Sequence, residues 1–304
     1  MPKYSVIIPN YNHSKFLKKR IDSVVNQTYR DFEVIILDDN SKDDSVRIIN
    51  SYKQNEKISH IIINTVNSGS TFKQWEKGFN LCKGKFIWIA ESDDIADLNF
   101  LSEFDKYLSK NDDIKLAFCL SNIINENDII SHIQEPYGDA DMIYEGKEFV
   151  EKHMLRKNPI INASAVIFRK DCLPDSLDYT KFKFCGDWYF YSIIINKGKV
   201  LILNKALNFF RMHSNKVTPL SLTRGIGYTE GVLVISSIFK LYRISAIKKI
   251  ITKILFISDL HLDIFVEENY KKESLKVINK YWSGLILLLG SIMSKIRLLK
   301  RVLK

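Results

Sequence analysis

Short apolar runs alternate with stretches of helical period along the first third of the chain. Tyr4–Pro9 (YSVIIP) is β-branched, short and ends at a proline, which predicts a buried strand. Ser14 then precedes Phe16, Leu17, Ile21, Val24 and Val25, whose spacing predicts a capped helix. Phe32–Leu37 (FEVIIL) predicts a second strand. After it come Asp38, Asp39, Asn40 and Ser41, then a helix through Val46, Ile49 and Tyr52, capped by Ser41 or Asp43. Ser59–Asn64 predicts a third strand. A loop at Asn67–Ser70 leads into a helix holding Phe72, Trp75, Phe79 and Leu81, closed by Gly84. Phe86–Ala90 (FIWIA) predicts a fourth strand, with Glu91, Ser92, Asp93 and Asp94 directly behind it. This alternation predicts an α/β fold, a mostly parallel sheet flanked by helices. Such sheets bind ligands at the carboxyl ends of their strands. Three polar clusters fall there: Asn10–Asn12, Asp38–Asp39 and Asp93–Asp94.

Beyond residue 115 the pattern loosens. Leu116–Asn122, Ser164–Arg169, Val200–Leu203 and Leu207–Arg211 predict extended pieces. Gly146–Leu155 predicts a helix, and another opens at Phe184–Trp188 and runs through Tyr191, Ile194 and Ile195. From Gly225 to Leu303 the chain is helical in pattern, with bulky apolar residues mixed among Lys and Arg. We place a boundary near Pro219, so that residues 1–219 form one domain and 220–304 a helical C-terminal extension.

Charge sharpens that boundary. The net charge of +10 is carried by residues 205–304, which hold 18 Lys and Arg against 6 Asp and Glu, while the rest is near neutral. A basic tail on a neutral body points to an anionic partner, a membrane surface or nucleic acid. Only 12 Gly and 6 Pro occur in 304 residues, which excludes collagen-like and linker-rich chains. Cys82, Cys119, Cys172 and Cys185 form no C-x-x-C pair, which argues against a cysteine metal site or a disulfide framework. The amino terminus has no secretory pattern. The longest apolar stretch near the end, Gly284–Met293, is shorter than the about 20 residues that span a bilayer. A cytoplasmic protein is expected, peripheral on the inner face of the membrane if the tail attaches.

Candidate chemistry is narrowed by elimination. No G-x-G-x-x-G, P-loop, H-E-x-x-H or G-x-S-x-G motif occurs. What remains is an acidic site on an α/β sheet. Adjacent carboxylates such as Asp93 and Asp94 are costly unless a cation offsets them. A hard divalent ion, Mg²⁺ or Mn²⁺, takes one or two carboxylates and completes its shell with phosphate oxygens. A solvated turn is the alternative.

SVIIPNYN, VIILDDNS, a Gly-Lys-Phe-Ile strand ending in ESDD, a later Cys-Gly-Asp-Trp and a final Phe-Arg-Met-His together resemble family 2 glycosyltransferases over residues 1–218. The resemblance implies the GT-A fold, a Rossmann-like twisted sheet. It implies inverting transfer of a sugar from a nucleotide-sugar donor, with a nucleotide half at about 1–115 and an acceptor half at about 116–219. It places Pro9 and Tyr11 at the nucleobase, an aromatic ring suiting its π-face. It places Asp39 on the base N3–H, which uracil and thymine carry and cytosine lacks. Asp93 would hold the ribose and Asp94 the metal. Glu91 stands where the family usually has aspartate. Lys73 is the nearest cation to the phosphates, or an ordinary solvated lysine. His213 becomes a metal or diphosphate ligand, and Arg211, whose fork matches phosphate, a phosphate partner.

Asp187 becomes the general base that takes the acceptor proton on the face opposite the leaving group. From the residues alone it is equally a helix N-cap. The expected cofactor is Mn²⁺ or Mg²⁺, and the expected partners are a nucleotide-sugar donor, a UDP-sugar, and a glycan or lipid-linked acceptor in surface polysaccharide assembly. Ile238–Ile257 and Leu285–Lys304 are candidates for basic amphipathic helices on an anionic membrane, or for helices packed with a solvated basic face. Two rival classes remain. A nucleotidylyltransferase usually has a glycine-rich basic loop after the first strand, which PNYNHSKF lacks. A non-catalytic sugar-nucleotide or membrane-binding protein has no need of Asp187. Nucleic-acid binding is not expected, since no aromatic–basic recognition motif accompanies the tail.

Overall fold

The computed structural model describes residues 1–213 and 223–302, with side chains to residue 300. The boundary near Pro219 and the last residue, Lys304, lie outside the described residues. Chain contacts group Met1–Gly146, Ile160–Thr180 and Lys197–His213 into one compact unit, and Lys147–Pro159, Lys181–Asn196 and the described part of Ser214–Lys304 into a second.

The first unit holds β1 (Tyr4–Asn10), α1 (Ser14–Val25), β2 (Phe32–Asp38), α2 (Ser45–Ser51), β3 (Ile58–Ile63), α3 (Thr71–Leu81) and β4 (Phe86–Ile89). It continues with β5 (Ile95–Ala96), α4 (Phe100–Leu108), β6 (Ile114–Ile124), β7 (Ile130–Ile133), β8 (Met142–Glu145), β9 (Val166–Arg169) and β10 (Lys199–Arg211). These strands form one sheet in the order β3-β2-β1-β4-β9-β6-β10-β5, with β7 on β6 and β8 on β10. Every residue of β1, β2 and β4 is buried, as near-continuous apolar strands covered on both faces must be. Trp88 of β4 stacks on Phe100 of α4 at 4.2 Å between ring centres.

The sheet is mixed rather than mostly parallel. β3, β2, β1 and β4 run parallel, whereas β9 is antiparallel to β4 and β6, and β5 to β10. The strand–helix alternation that signals parallel pairing stops at β4. The later strands arrive through other connections: β9, β5, β7 and β8 pair antiparallel, and β6 pairs parallel with β10. Val200–Leu203 and Leu207–Arg211 are one 13-residue strand, β10, whose register shifts around Ala206. α4, β5, β7 and β8 add to the elements expected from the sequence. Gly84 does not close α3, which stops at Leu81. A Cβ at Gly84 would lie 2.6 Å from the Ser5 backbone nitrogen, so the glycine serves a close approach to β1.

The second unit is helical: α5 (Gly146–Phe149) running into a π turn (Val150–Met154), α6 (Gly186–Ile195), α7 (Ile226–Leu241), α8 (Ala246–Leu262), α9 (Glu268–Asn279) and α10 (Gly284–Val302). A Cβ at Gly290 of α10 would lie 2.5 Å from Ile257 of α8, which lets these two helices pack closely. No described helix is long and apolar enough to cross a membrane.

Candidate active site

The chain turns sharply where β1 and β2 end. Asn12 and Asn40 both adopt left-handed backbone (φ 55° and 63°), which asparagine tolerates better than most residues. The two turns are latched together. Asn12 Oδ1 accepts from the Lys42 backbone N–H at 2.7 Å, and the Asn12 N–H donates to Ser41 Oγ at 2.9 Å. Fully buried Asp38 ties the knot, accepting from Asn10 Nδ2 at 2.7 Å, Ser41 Oγ at 2.6 Å and the Ser41 N–H at 2.9 Å. Pro9 lies past Ile7, the last β1 residue paired with β4, so the ladder to β4 loses no donor there. Tyr11 stands at the tip, 46% exposed.

Asp39 faces a different loop. Its carboxylate accepts from Asn64 Nδ2 (2.7 Å), Gln74 Nε2 (2.9 Å), the Ser68 N–H (2.9 and 3.0 Å) and Ser68 Oγ (2.8 Å). It therefore holds the segment leading into α3. Lys73 on that helix is exposed and donates to the Ser68 carbonyl at 3.3 Å.

The acidic segment behind β4 divides by role. Glu91 Oε1 accepts from Trp75 Nε1 at 2.9 Å. Asp94 is fully buried, and its oxygens accept from Ser164 Oγ (2.6 Å), Asn162 Nδ2 (2.9 Å) and the Arg211 N–H (3.0 Å). Asp93 instead meets His213, Oδ2 to Nε2 at 3.0 Å. Buried Arg211 braces this corner from within. Its Nε donates to the Asp93 carbonyl (2.7 Å), its Nη1 to the Asn125 carbonyl (2.8 Å), and its Nη2 pairs with Asp128 (2.6 Å).

Two further residues join the cluster that sequence reasoning passed over. His13 Nδ1 lies 2.8 Å from Ser92 Oγ, and its ring stands nearly perpendicular to that of His213 with 5.5 Å between centres. One ligand atom each from His13, Asp93 and His213 lie within 4.8 Å of one another. Arg20, fully buried on α1, donates from Nε to the Glu91 carbonyl at 2.8 Å and holds Nη2 3.8 Å from Asp94. Burial lowers its pKa to about 10, so it remains a cation at neutral pH. Its signal was legible: position 20 falls on the apolar stripe of α1, between Leu17 and Val24. The structure thus brings Glu91, Asp93, Asp94, Arg211 and His213 together in the first unit, with Arg20 and His13.

Asp187 belongs to the second unit, in the first turn of α6. The N-cap position is Cys185, and the chain just before the helix is held by Glu230 of α7. The N–H groups of Lys183, Phe184 and Cys185 reach its carboxylate at 2.8, 2.9 and 2.8 Å. Asp187 accepts from the Trp188 N–H at 2.7 Å and from Asn158 Nδ2 at 2.9 Å. Burial outweighs these two bonds and, with Glu230 adding to the rise, pushes its carboxyl up to about 7. A carboxyl poised there exchanges a proton readily at neutral pH.

The mixed sheet with its flanking helices is the GT-A fold. Over 94% of this chain and 83% of the other, it superposes on Staphylococcus aureus TarS 1–349, solved in complex with UDP, with a TM-score of 0.69 at 16% identity. The sequence profile of Glycosyl transferase family 2 matches residues 5–172, more than half of the chain, and the chain belongs to that family. An uncharacterized glycosyltransferase of Methanocaldococcus jannaschii is 33% identical over 56% of this chain. The GalNAc(5)-diNAcBac-PP-undecaprenol beta-1,3-glucosyltransferase of Campylobacter jejuni is 28% identical over 80% of it. The chain spans 58% and 65% of the lengths of these two relatives.

Proposed function

We propose that the protein is an inverting, metal-dependent glycosyltransferase that moves a sugar from a UDP-sugar to a glycan or lipid-linked acceptor in surface polysaccharide assembly. The observation that carries this reading is the cluster of Asp93 and His213 at the carboxyl ends of the strands, in a chain of this family. A carboxylate with imidazole nitrogen fits a divalent ion, and Mn²⁺ better than Mg²⁺. We assign the metal to Asp93 and His213. Asp94, whose oxygens are engaged by Ser164, Asn162 and Arg211, holds the segment in place. When bound, the ion offsets the charge that develops on the nucleoside diphosphate leaving group.

The chain's own groups supply the rest. Tyr11 lines the nucleobase beside Pro9, Glu91 reaches the ribose, and Lys73 meets a phosphate as a point charge. A uracil N3–H would take the place of the Ser68 hydroxyl on Asp39. That hydroxyl is readily exchanged because it also lies 3.2 Å from the Ser70 carbonyl. Asp187 in its ionised form takes the proton of the acceptor hydroxyl as that oxygen attacks the anomeric carbon from the far side.

The undecaprenol-linked acceptor in the name of the C. jejuni relative motivates a lipid-linked acceptor here. So does α10, whose Leu285, Leu288, Leu289, Ile292, Ile296 and Leu299 form one exposed stripe. A chain lying on the inner face of an anionic membrane by this stripe fits both. The test is a panel of nucleotide-sugars with Mn²⁺, Mg²⁺ or EDTA, read by release of the nucleoside diphosphate. Turnover of UDP-sugars that EDTA abolishes is expected. Preference for CDP-sugars overturns the donor assignment, and full turnover in EDTA overturns the metal.

A further inference from the structure

We propose that His13 is a third protein ligand of the divalent ion, so that the chain binds Mn²⁺ or Co²⁺ before any nucleotide arrives. This rests on the reading of Asp93 and His213 as metal ligands and extends it to a residue on another loop.

Three observations carry it. First, the ligand atoms of His13, Asp93 and His213 lie within 4.8 Å of one another. Two ligands on opposite sides of an ion bonded at about 2.1 Å stand about 4.2 Å apart, so a small contraction closes the set. Second, the far side of the His13 ring is already held. Ser92 Oγ lies 2.8 Å from Nδ1, and an Nδ1–H donated to that hydroxyl would direct the lone pair of Nε2 to the ion. A partner of this kind fixes the tautomer and orientation of metal-binding histidines. Third, the loop bearing His13 is fixed independently. Its neighbour Asn12 is latched to Ser41 and Lys42, and the Ser14 N–H donates to Asp43 at 2.8 Å.

Two imidazoles and one carboxylate make a donor set that transition ions favour over Mg²⁺. A site with a single carboxylate depends on phosphate oxygens to hold its ion. Three protein ligands remove that dependence and leave the other coordination positions for donor oxygens. The expected order is therefore ion first and nucleotide second.

The test titrates the full chain with Co²⁺ by visible absorption and with Mn²⁺ by calorimetry, in the absence and presence of UDP. The wild type, His13→Ala, His13→Asn, Asp93→Asn and His213→Ala are compared, with circular dichroism as the check on folding. Nucleotide-free binding by the wild type, weakened about 10–100-fold or more in both His13 variants, is expected. In the unmutated chain loaded with Co²⁺, strongly contact-shifted imidazole signals from two histidines rather than one give the same answer should the variants misfold. Wild-type affinity in His13→Ala, with loss in Asp93→Asn and His213→Ala, overturns the role of His13 and leaves the two-ligand reading standing. So does an ion that binds only with UDP. Absence of ion binding even with UDP overturns the two-ligand reading as well.

Discussion

The two units treat an enclosed carboxylate in opposite ways. In the sheet unit, Asp94 is met by a serine hydroxyl, an asparagine amide and a backbone N–H, with the Arg20 guanidinium 3.8 Å away. In the helical unit, Asp187 accepts from the Trp188 N–H and from Asn158, and a second carboxylate, Glu230, raises its pKa further. Donors and cations stabilise the charged form, whereas burial without enough of them favours the protonated form. The first arrangement suits an anchor for the Glu91–Asp94 segment. The second suits a group that changes protonation near neutral pH. The electrostatics of the two sites thus fit the two different tasks we propose for them, leaving-group binding and proton transfer.

The largest effect expected is on turnover. Asp187→Asn keeps the shape and removes the base, so kcat should fall by about 10²–10⁴-fold while UDP affinity stays near wild type. Kinetics and calorimetry on the same preparation check this. Loss of fold together with activity would return Asp187 to a structural part in α6. Asp94→Ala breaks the other half of the comparison. It strands Ser164, Asn162 and the Arg211 N–H and takes from buried Arg20 the carboxylate that stands 3.8 Å from its Nη2, so we expect about 3–5 kcal/mol lost in urea unfolding. A variant as stable as the wild type would mean that Asp94 is not the anchor of its segment.

The pH dependence of stability separates the two carboxylates next. Asp187 is raised from an ordinary carboxyl value to about 7. The folded state then holds its proton where the unfolded chain has released it. That contribution is fully present below about pH 4 and is lost as pH rises through about 7. Asp187→Asn removes the dependence, so its stability relative to wild type should grow between pH 4 and 7, by on the order of 2–4 kcal/mol. Parallel melting curves across this range check the sign. A constant difference between the two proteins would show that the Asp187 carboxyl titrates normally in the folded chain.

The sequence made much of this legible, for identifiable reasons. β1, β2 and β4 are buried on both faces, so each reads as an apolar run, the half-exposed β3 is still marked by its isoleucines, and the helices between them carry their apolar stripes in plain view. The antiparallel additions β5, β7 and β8 are two to four residues long and, apart from a few positions, not deeply buried, so no pattern marks them. The acidic segment was visible because carboxylates directly behind an apolar strand are conspicuous. The division of labour inside it was not. Which of two adjacent aspartates points to His213 depends on Ser164, Asn162 and Arg211, which lie 68 to 117 positions beyond Asp94. Asp187 was found through resemblance, and only its surroundings distinguish it from a cap: Cys185 holds the N-cap position, while Asp187 takes the Trp188 N–H from inside the first turn.

The smallest expected effect concerns the surface of the helical unit. One side of α10 packs closely on α8 at Gly290, and its exposed side carries the stripe from Leu285 to Leu299. Arg297 is drawn inward, Nη1 donating to Asp259 at 2.7 Å and to Ser258 Oγ at 3.0 Å, so it is not counted among the lipid-facing cations. Exposed Lys295 and Lys300 are. Each lysine near an anionic surface contributes about 1 kcal/mol, a term that salt weakens. Burial of the stripe adds a term that salt does not remove. Vesicle sedimentation with phosphatidylserine should show binding that weakens with salt in the wild type. Lys295→Ala and Lys300→Ala should each cost about five-fold at low salt, the equivalent of about 1 kcal/mol. Leu288→Glu and Ile292→Glu should abolish the salt-resistant remainder. Truncation after Gly284 should release the chain from vesicles and leave UDP binding, which we assign to the sheet unit, unchanged. Wild-type chain that ignores anionic vesicles at low salt, or truncation that destroys UDP binding, would make α10 a structural helix and end its reading as a membrane contact.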